Sequence, residues 1–179
     1  MSYYTLDQIK RDGTVDFRRK NLERFSKSYK TTIFLSHSHH DNDIVGSVIS
    51  FLLNNGIYIY VDWLDPTMPQ TTSGETASKI KDKINQCERF IVLLTENSKE
   101  SKWVPWELGY ADAQKDNDKI SILPVKRNYY TRDSEFEGIE YMQLYRQIVF
   151  GHIIATKEPT PTILNVRSST GTTLSGWLS

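Results

Sequence analysis

A single cysteine, Cys87, stands in this chain of 179 residues, so no internal disulfide can form. Neither sign of charge is in excess: 22 Lys and Arg are matched by 22 Asp and Glu, for a formal net charge of zero. That total calls for no nucleic acid and no acidic membrane surface as partner. No apolar run approaches the roughly 20 residues that a membrane helix needs. The polar stretch from Met1 to Asp12 has no apolar h-region of the kind a signal peptide carries. The expected setting is therefore reducing and cytoplasmic, with no membrane partner.

Several motifs are missing too. No G-x-G-x-x-G follows a strand-like run, which argues against a classical dehydrogenase, and no G-x-x-x-x-G-K-[ST] is present, which excludes a P-loop enzyme. Ser36, His37 and Asp41 lie in one short loop without a G-x-S-x-G elbow, so they do not read as a hydrolase triad. His37, His39 and His40 lie close together beside Asp41 and Asp43, but the only other histidine is His152. No second cluster of His or Cys completes a ligand set, and no metal site is expected. There is no internal repeat and no low-complexity tract.

What is present is enough for a packed core. Apolar residues make up 38% of the chain and aromatics 12%, which speaks against wholesale disorder. The length fits one domain, since domains commonly run to about 100–150 residues. Residues 1–30 are charge-rich, with Val15, Leu22, Phe25 and Tyr29 near one helical face, and predict an N-terminal helical extension packed on the domain edge. From residue 31 the pattern changes. Ile33 to Leu35 is a short apolar run ending at Ser36. Asp41 is placed as an N-cap for a helix carrying Val45, Val48, Ile49, Leu52 and Leu53, and Gly56 as its C′ residue.

Ile57 to Val61 is a second strand, closing at Asp62, and Trp63 to Ser73, with Pro66 and Pro69, is a loop. Thr72 and Glu75 have capping-box spacing ahead of the stripe Ala77, Ile80, Ile84. Phe90 to Leu94 is a third strand, Trp103 to Lys115 a helix, and Ile120 to Leu123 a fourth strand stopped by Pro124. Ile148 to Ala155 reads as a last buried strand, and Pro159 to Ser179 shows no clear period. Near-continuous apolar strands alternating with helices predict a parallel sheet covered on both faces.

Ligands of such sheets bind outside the carboxyl ends of the strands. Three of those ends are polar here: Ser36 to Asp41, Asp62 with the loop after it, and Thr95 to Ser98. Glu107 is singled out by its company. Its helical neighbours three and four residues away are Trp103, Val104, Tyr110 and Ala111, none of them charged. An apolar setting raises a carboxyl pKa and strengthens its attraction for a nearby cation, which is how a glycoside-cleaving acid is often housed. The plainer alternative is a glutamate at the edge of a core stripe, bound to a backbone N–H.

These segments together resemble the TIR (Toll/interleukin-1 receptor) domain family. Phe34-Leu35-Ser36-His37-Ser38 with Asp41 is similar to the first TIR box. Asp62 and the loop to Ser73 resemble the second strand and BB loop. Phe90 to Thr95 with Ser98, Ser101 and Lys102 resembles the third strand and its exit. Trp103-Val104-Pro105-Trp106-Glu107-Leu108 is similar to the W-x-x-x-E-L element of NAD-cleaving TIR domains. The match is strongest over residues 31–125 of a domain spanning 31–179. In the BB loop, Asp65-Pro66-Thr67-Met68-Pro69 replaces the usual glycine-containing stretch. The variant is most similar to bacterial TIR proteins of Thoeris antiphage defence.

The resemblance implies a flavodoxin-like three-layer α/β sandwich with a central parallel sheet. It implies Glu107 as the catalytic glutamate, with Ser36, His37, Asp62 and Trp103 bordering the substrate. The substrate it implies is NAD⁺, used without a further cofactor and cleaved between ribose and nicotinamide. It also implies assembly into homo-oligomers through TIR–TIR contacts. The aromatic walls around Glu107 predict a dry pocket in which a bound nucleophile captures the ribose cation. The product would then be an ADP-ribose-derived signal sensed by a downstream effector. Two other readings remain open at this point: a TIR scaffold without activity, and a nucleoside deoxyribosyltransferase-like enzyme. A phosphoacceptor receiver domain fits less well, because the first strand ends in Ser36-His37 and not in an acidic pair.

Overall fold

In the computed structural model the described residues are 2–12, 32–61, 65, 73–136, 139–151 and 160–178. The expected helix face formed by Val15, Leu22, Phe25 and Tyr29 lies outside them. So do Asp62 and nearly all of the loop that follows it.

The described chain forms β1 (Tyr4–Thr5), α1 (Leu6–Asp12), β2 (Thr32–Ser36) and a 3₁₀ turn (His39–Asp41). Next come α2 (Asn42–Asn54), β3 (Tyr58–Tyr60), α3 (Gly74–Gln86), β4 (Arg89–Leu94), α4 (Glu96–Glu100), α5 (Trp103–Gln114) and β5 (Ile120–Lys126). The last elements are β6 (Arg146–Gly151), β7 (Thr160–Asn165), β8 (Thr170–Thr173) and α6 (Leu174–Leu178). The sheet order is β3-β2-β4-β5-β6-β7-β8, with β1 joining β5. Neighbours from β3 to β6 are parallel, whereas β6, β7 and β8 pair antiparallel.

Alternation along the strands makes the layers. Ile33, Leu35, Ile91, Leu93, Leu123 and Val125 point into a core shared with α1, α2 and α6. Phe34, Phe90, Val92, Leu94, Ile120 and Ile122 point the other way, into a core shared with α3 and α5. A strand buried on both faces needs apolar residues at every position, which is why these runs are continuous. The sheet is thus mostly parallel with helices on both faces, as expected, and only its β7–β8 edge departs from the parallel pattern. Among the described residues no helix is long and apolar enough to cross a membrane.

Four local expectations are corrected. The strand does not stop at Pro124 but runs on to Lys126, buried throughout. Pro124 pairs with Leu94 on one side. On its other side β5 pairs with β6 at Ser121 and Ile122 and with β1 at Val125 and Lys126. The proline thus falls where one ladder has ended and the next has not begun, and its missing N–H costs no bond there.

The capping box of α3 is formed by Ser73 and Thr76, one residue after the spacing of Thr72 and Glu75: the Ser73 hydroxyl accepts from the Thr76 N–H, and the Thr76 hydroxyl from that of Ser73. Asp41 occupies the N-cap position of α2 but makes no side-chain cap, because its carboxylate is engaged elsewhere. Residues 160–178, which show no period in the sequence, form the β7–β8 hairpin and α6, with Ile163, Leu174 and Trp177 in the core. The C′ expectation for Gly56 holds: its φ is +80°, and its N–H donates to the Leu53 carbonyl. At the other end of the chain, Tyr4 and Ile9 are core residues, so residues 2–12 are built into the sheet and against α2.

Candidate active site at the carboxyl edge of the sheet

Ser36 is the last residue of β2 and shares the face of Phe34, two positions earlier. It therefore looks towards the layer that holds α5. On α5, Val104, Leu108 and Ala111 are buried against the sheet, and Glu107 falls on the same flank. The two side chains meet. The Ser36 hydroxyl donates to Glu107 Oε2 at 2.5 Å, a short charge-assisted bond between groups 1% and 5% exposed. A glutamate on an apolar helix flank is thus engaged at a strand end by the Ser36 hydroxyl.

The approach of α5 depends on the residues before it. Thr95 and Ser98 cap α4 reciprocally. Lys102, at the N-cap position of α5, supplies no side-chain cap. Ser101 takes that role instead, its hydroxyl accepting from the N–H groups of Trp103 (3.2 Å) and Val104 (3.3 Å). Thr95, Ser98 and Ser101 therefore act on the backbone, setting where the helix bearing Glu107 begins.

Trp103, one helical turn before Glu107, is half-buried and meets Trp106 edge to face at 5.3 Å. His37 is buried, and its Nδ1–H donates to the Leu35 carbonyl at 3.3 Å, while His39 and His40 are exposed. No group of three or more His, Cys, Asp or Glu among the described residues is placed to hold a metal ion. The structure thus brings Ser36 directly onto Glu107 and places Trp103 on the same helix and His37 next along the β2 exit. Asp62 lies outside the described residues.

Sequence reasoning missed the use of Asp41. Its Oδ2 accepts from the Thr95 hydroxyl (2.7 Å) and its Oδ1 from Asn97 Nδ2 (2.8 Å), and the residue is 1% exposed. This carboxylate ties the exit of β2 to the exit of β4, the two segments that carry Ser36 and lead into α5. The only sequence signal was an acid at a strand exit, which an N-cap explains equally well. Asp65, the one described residue between 62 and 72, accepts from the Tyr60 hydroxyl (2.8 Å) and pairs with Lys83 (3.1 Å), fixing that point of the loop to β3 and α3.

A mostly parallel sheet with Glu107 of a W-x-x-x-E-L helix facing the serine at the end of β2 is the arrangement expected of a TIR domain, and a family model described as "TIR domain" matches residues 33–152. The chain belongs to the TIR domain family. Among its relatives is a protein of Bacillus cereus (strain MSX-D12) named "Probable 3' cyclic ADP-D-ribose synthase ThsB'". It is 35% identical over 139 residues, which are 74% of this chain and 70% of the relative. A protein of Cytobacillus dafuensis named "Putative cyclic ADP-D-ribose synthase TIR2" is 33% identical over 82 residues, 44% of this chain and 22% of that longer protein. The TIR assignment covers all the residues of the site described above. It leaves residues 2–12 and 160–178, which complete the sheet and one core, outside the matched span.

Proposed function

We propose that this TIR domain cleaves the bond between ribose C1′ and the nicotinamide nitrogen of NAD⁺, with Glu107 as the catalytic residue. The observation that carries the reading is the buried Glu107 carboxylate, held by Ser36 at the carboxyl edge of the sheet. The names of the two relatives support the same substrate class.

The chemistry follows from that carboxylate. The C1′–N bond breaks heterolytically, its electron pair going to the ring nitrogen, so nicotinamide leaves neutral and needs no general acid. Positive charge develops on C1′ and the ring oxygen. A fixed carboxylate in an apolar surround stabilises it more than water would. Ser36 orients Glu107, and Trp103 offers an aromatic face to a planar ring of the substrate. A hydroxyl or ring nitrogen of the same ADP-ribose then bonds to C1′, losing its proton to solvent where it carries one, and the product is cyclic. Water in its place gives linear ADP-ribose. Because an internal nucleophile competes with the advantage of proximity, the reading includes a cyclic ADP-ribose isomer as the signal and a downstream protein that senses it. His37 and Asp62 border the substrate in this reading, and a second copy of the chain completes the assembly.

The test is incubation of the purified protein with NAD⁺, followed by mass spectrometry. Nicotinamide release together with a species of cyclic ADP-ribose mass is expected. Release of nicotinamide with linear ADP-ribose alone removes the cyclase half of the proposal, and no release removes the whole.

A further inference from the structure

The flank of α5 next to Glu107 carries a run of aromatic rings that leads away from the acid. Trp103 meets Trp106 at 5.3 Å, and Trp106 lies nearly parallel to Tyr110 at 6.4 Å with an interplanar angle of 16°. Tyr110 is fixed by α3, since Asn85 Nδ2 donates to its hydroxyl at 2.8 Å. Trp106 is 36% exposed. A large aromatic kept open beside a buried acid offers a surface to something that arrives later.

Helix α3 carries three lysines at alternate positions, and they are used differently. Lys79 pairs with Glu75 at 3.1 Å, and Lys83 with Asp65 at 3.1 Å. Lys81 pairs with no carboxylate among the described residues. Its ammonium lies over the Trp106 ring at 5.6 Å and the Tyr110 ring at 5.1 Å. Ring faces hold a cation without neutralising it and leave its N–H donors on the open side unused. The rings also confine a side chain that would otherwise sample many rotamers. The result is an exposed positive charge held in position two ring-to-ring steps from Trp103.

We propose that Lys81 binds the pyrophosphate of the dinucleotide whose nicotinamide end lies at Glu107, with Trp106 and Tyr110 as its cradle. This rests on the NAD⁺-cleaving reading. A substrate bearing a pyrophosphate dianion must approach an anionic Glu107 and a neutral Ser36, and neither attracts it. In that substrate one ribose separates the nicotinamide ring from the phosphates. With a ring stacked at Trp103, phosphates laid along the aromatic run would meet Lys81. Lys79 and Lys83 already have carboxylate partners and cannot serve without losing them.

The experiment compares wild type, Lys81→Met and Lys81→Arg in three measurements: KM and kcat for NAD⁺, inhibition by ADP-ribose, which keeps the pyrophosphate, and inhibition by nicotinamide, which lacks it. Loss of one charge-assisted contact predicts that Lys81→Met raises KM and the ADP-ribose inhibition constant roughly tenfold. The effect should fall on KM rather than kcat and leave nicotinamide inhibition alone. The salt dependence of kcat/KM should flatten, and Lys81→Arg should restore most of the loss. Equal KM values in proteins that cleave NAD⁺ would overturn the Lys81 assignment while leaving the cleavage reading in place. Equal weakening of nicotinamide and ADP-ribose would overturn it as well, because that is the mark of a merely structural lysine. If wild type cleaves no NAD⁺, the functional reading fails. ADP-ribose titrated against tryptophan fluorescence then decides Lys81 separately, with equal affinity in wild type and Lys81→Met counting against it.

Discussion

Ser36 donates its hydroxyl to Glu107 across 71 residues of sequence, and this bond joins the end of β2 to the middle of α5. Gln at position 107 keeps the shape and can still accept from Ser36, but it carries no charge to set against a ribose cation. Glu107→Gln should therefore lower NAD⁺ turnover by roughly 10²-fold or more, the scale of losing an electrostatic stabiliser, with an unchanged circular dichroism spectrum. Ser36→Ala should lower kcat by less, since the carboxylate remains and only its orientation loosens. A steady-state series on the two variants checks both, and full turnover in a folded Glu107→Gln protein rules out Glu107 as the catalytic carboxylate.

Asp41 is expected to matter for stability more than its loop position suggests. Removing its carboxylate leaves the buried Thr95 hydroxyl without its acceptor, while the exposed Asn97 amide keeps its bond to the His40 carbonyl. Asp41→Ala should cost about 1–3 kcal/mol, equivalent to a melting temperature lower by about 2–12 °C for a chain of this size. Activity should fall too, because the β2 and β4 exits are no longer tied. Thermal unfolding with and without the substitution measures this, and a shift of under a degree would show the tie to be dispensable.

The one thiol should be inert while the protein is folded. Cys87 is 4% exposed, and burial pushes its thiol from the ordinary value of 9.0 up to about 12, against the smaller opposing effect of Lys115 and Lys83. A group whose folded pKa is raised adds stability that is complete below its unfolded pKa and is lost as pH climbs through the folded one. Cys87 should thus contribute fully below about pH 9 and lose its contribution towards about pH 12. At pH 8 a thiol reagent should label denatured protein at once and native protein only at the rate of opening. Rapid labelling of native protein would contradict the buried placement.

Self-association is the fourth expectation. If a neighbouring copy completes the pocket, specific activity should rise with protein concentration and level off where light scattering shows the oligomer to be fully formed. A flat response across that transition would remove the partner copy from the catalytic unit.

The sequence by itself determined the alternation of strands and helices and the polar strand exits. It also determined the unusual company of Glu107, because hydrophobic period and helix spacing are local properties of the chain. It carried too little signal for the β7–β8 hairpin. The turn places Ser169 at a φ of 53°, where glycine or asparagine would have announced it, and is held by the Asn165 side chain accepting from the N–H groups of Arg167 and Ser168.

Tertiary structure alone decided the rest. It joined β1 to β5, set Asp41 to bridging two strand exits rather than capping α2, brought Ser36 onto Glu107, and laid Lys81 over the rings of α5. Each of these pairs residues far apart in sequence. Which side chains meet is fixed only when the strand order β3-β2-β4-β5 and the faces taken by the crossover helices are fixed, and no local window of residues contains that information.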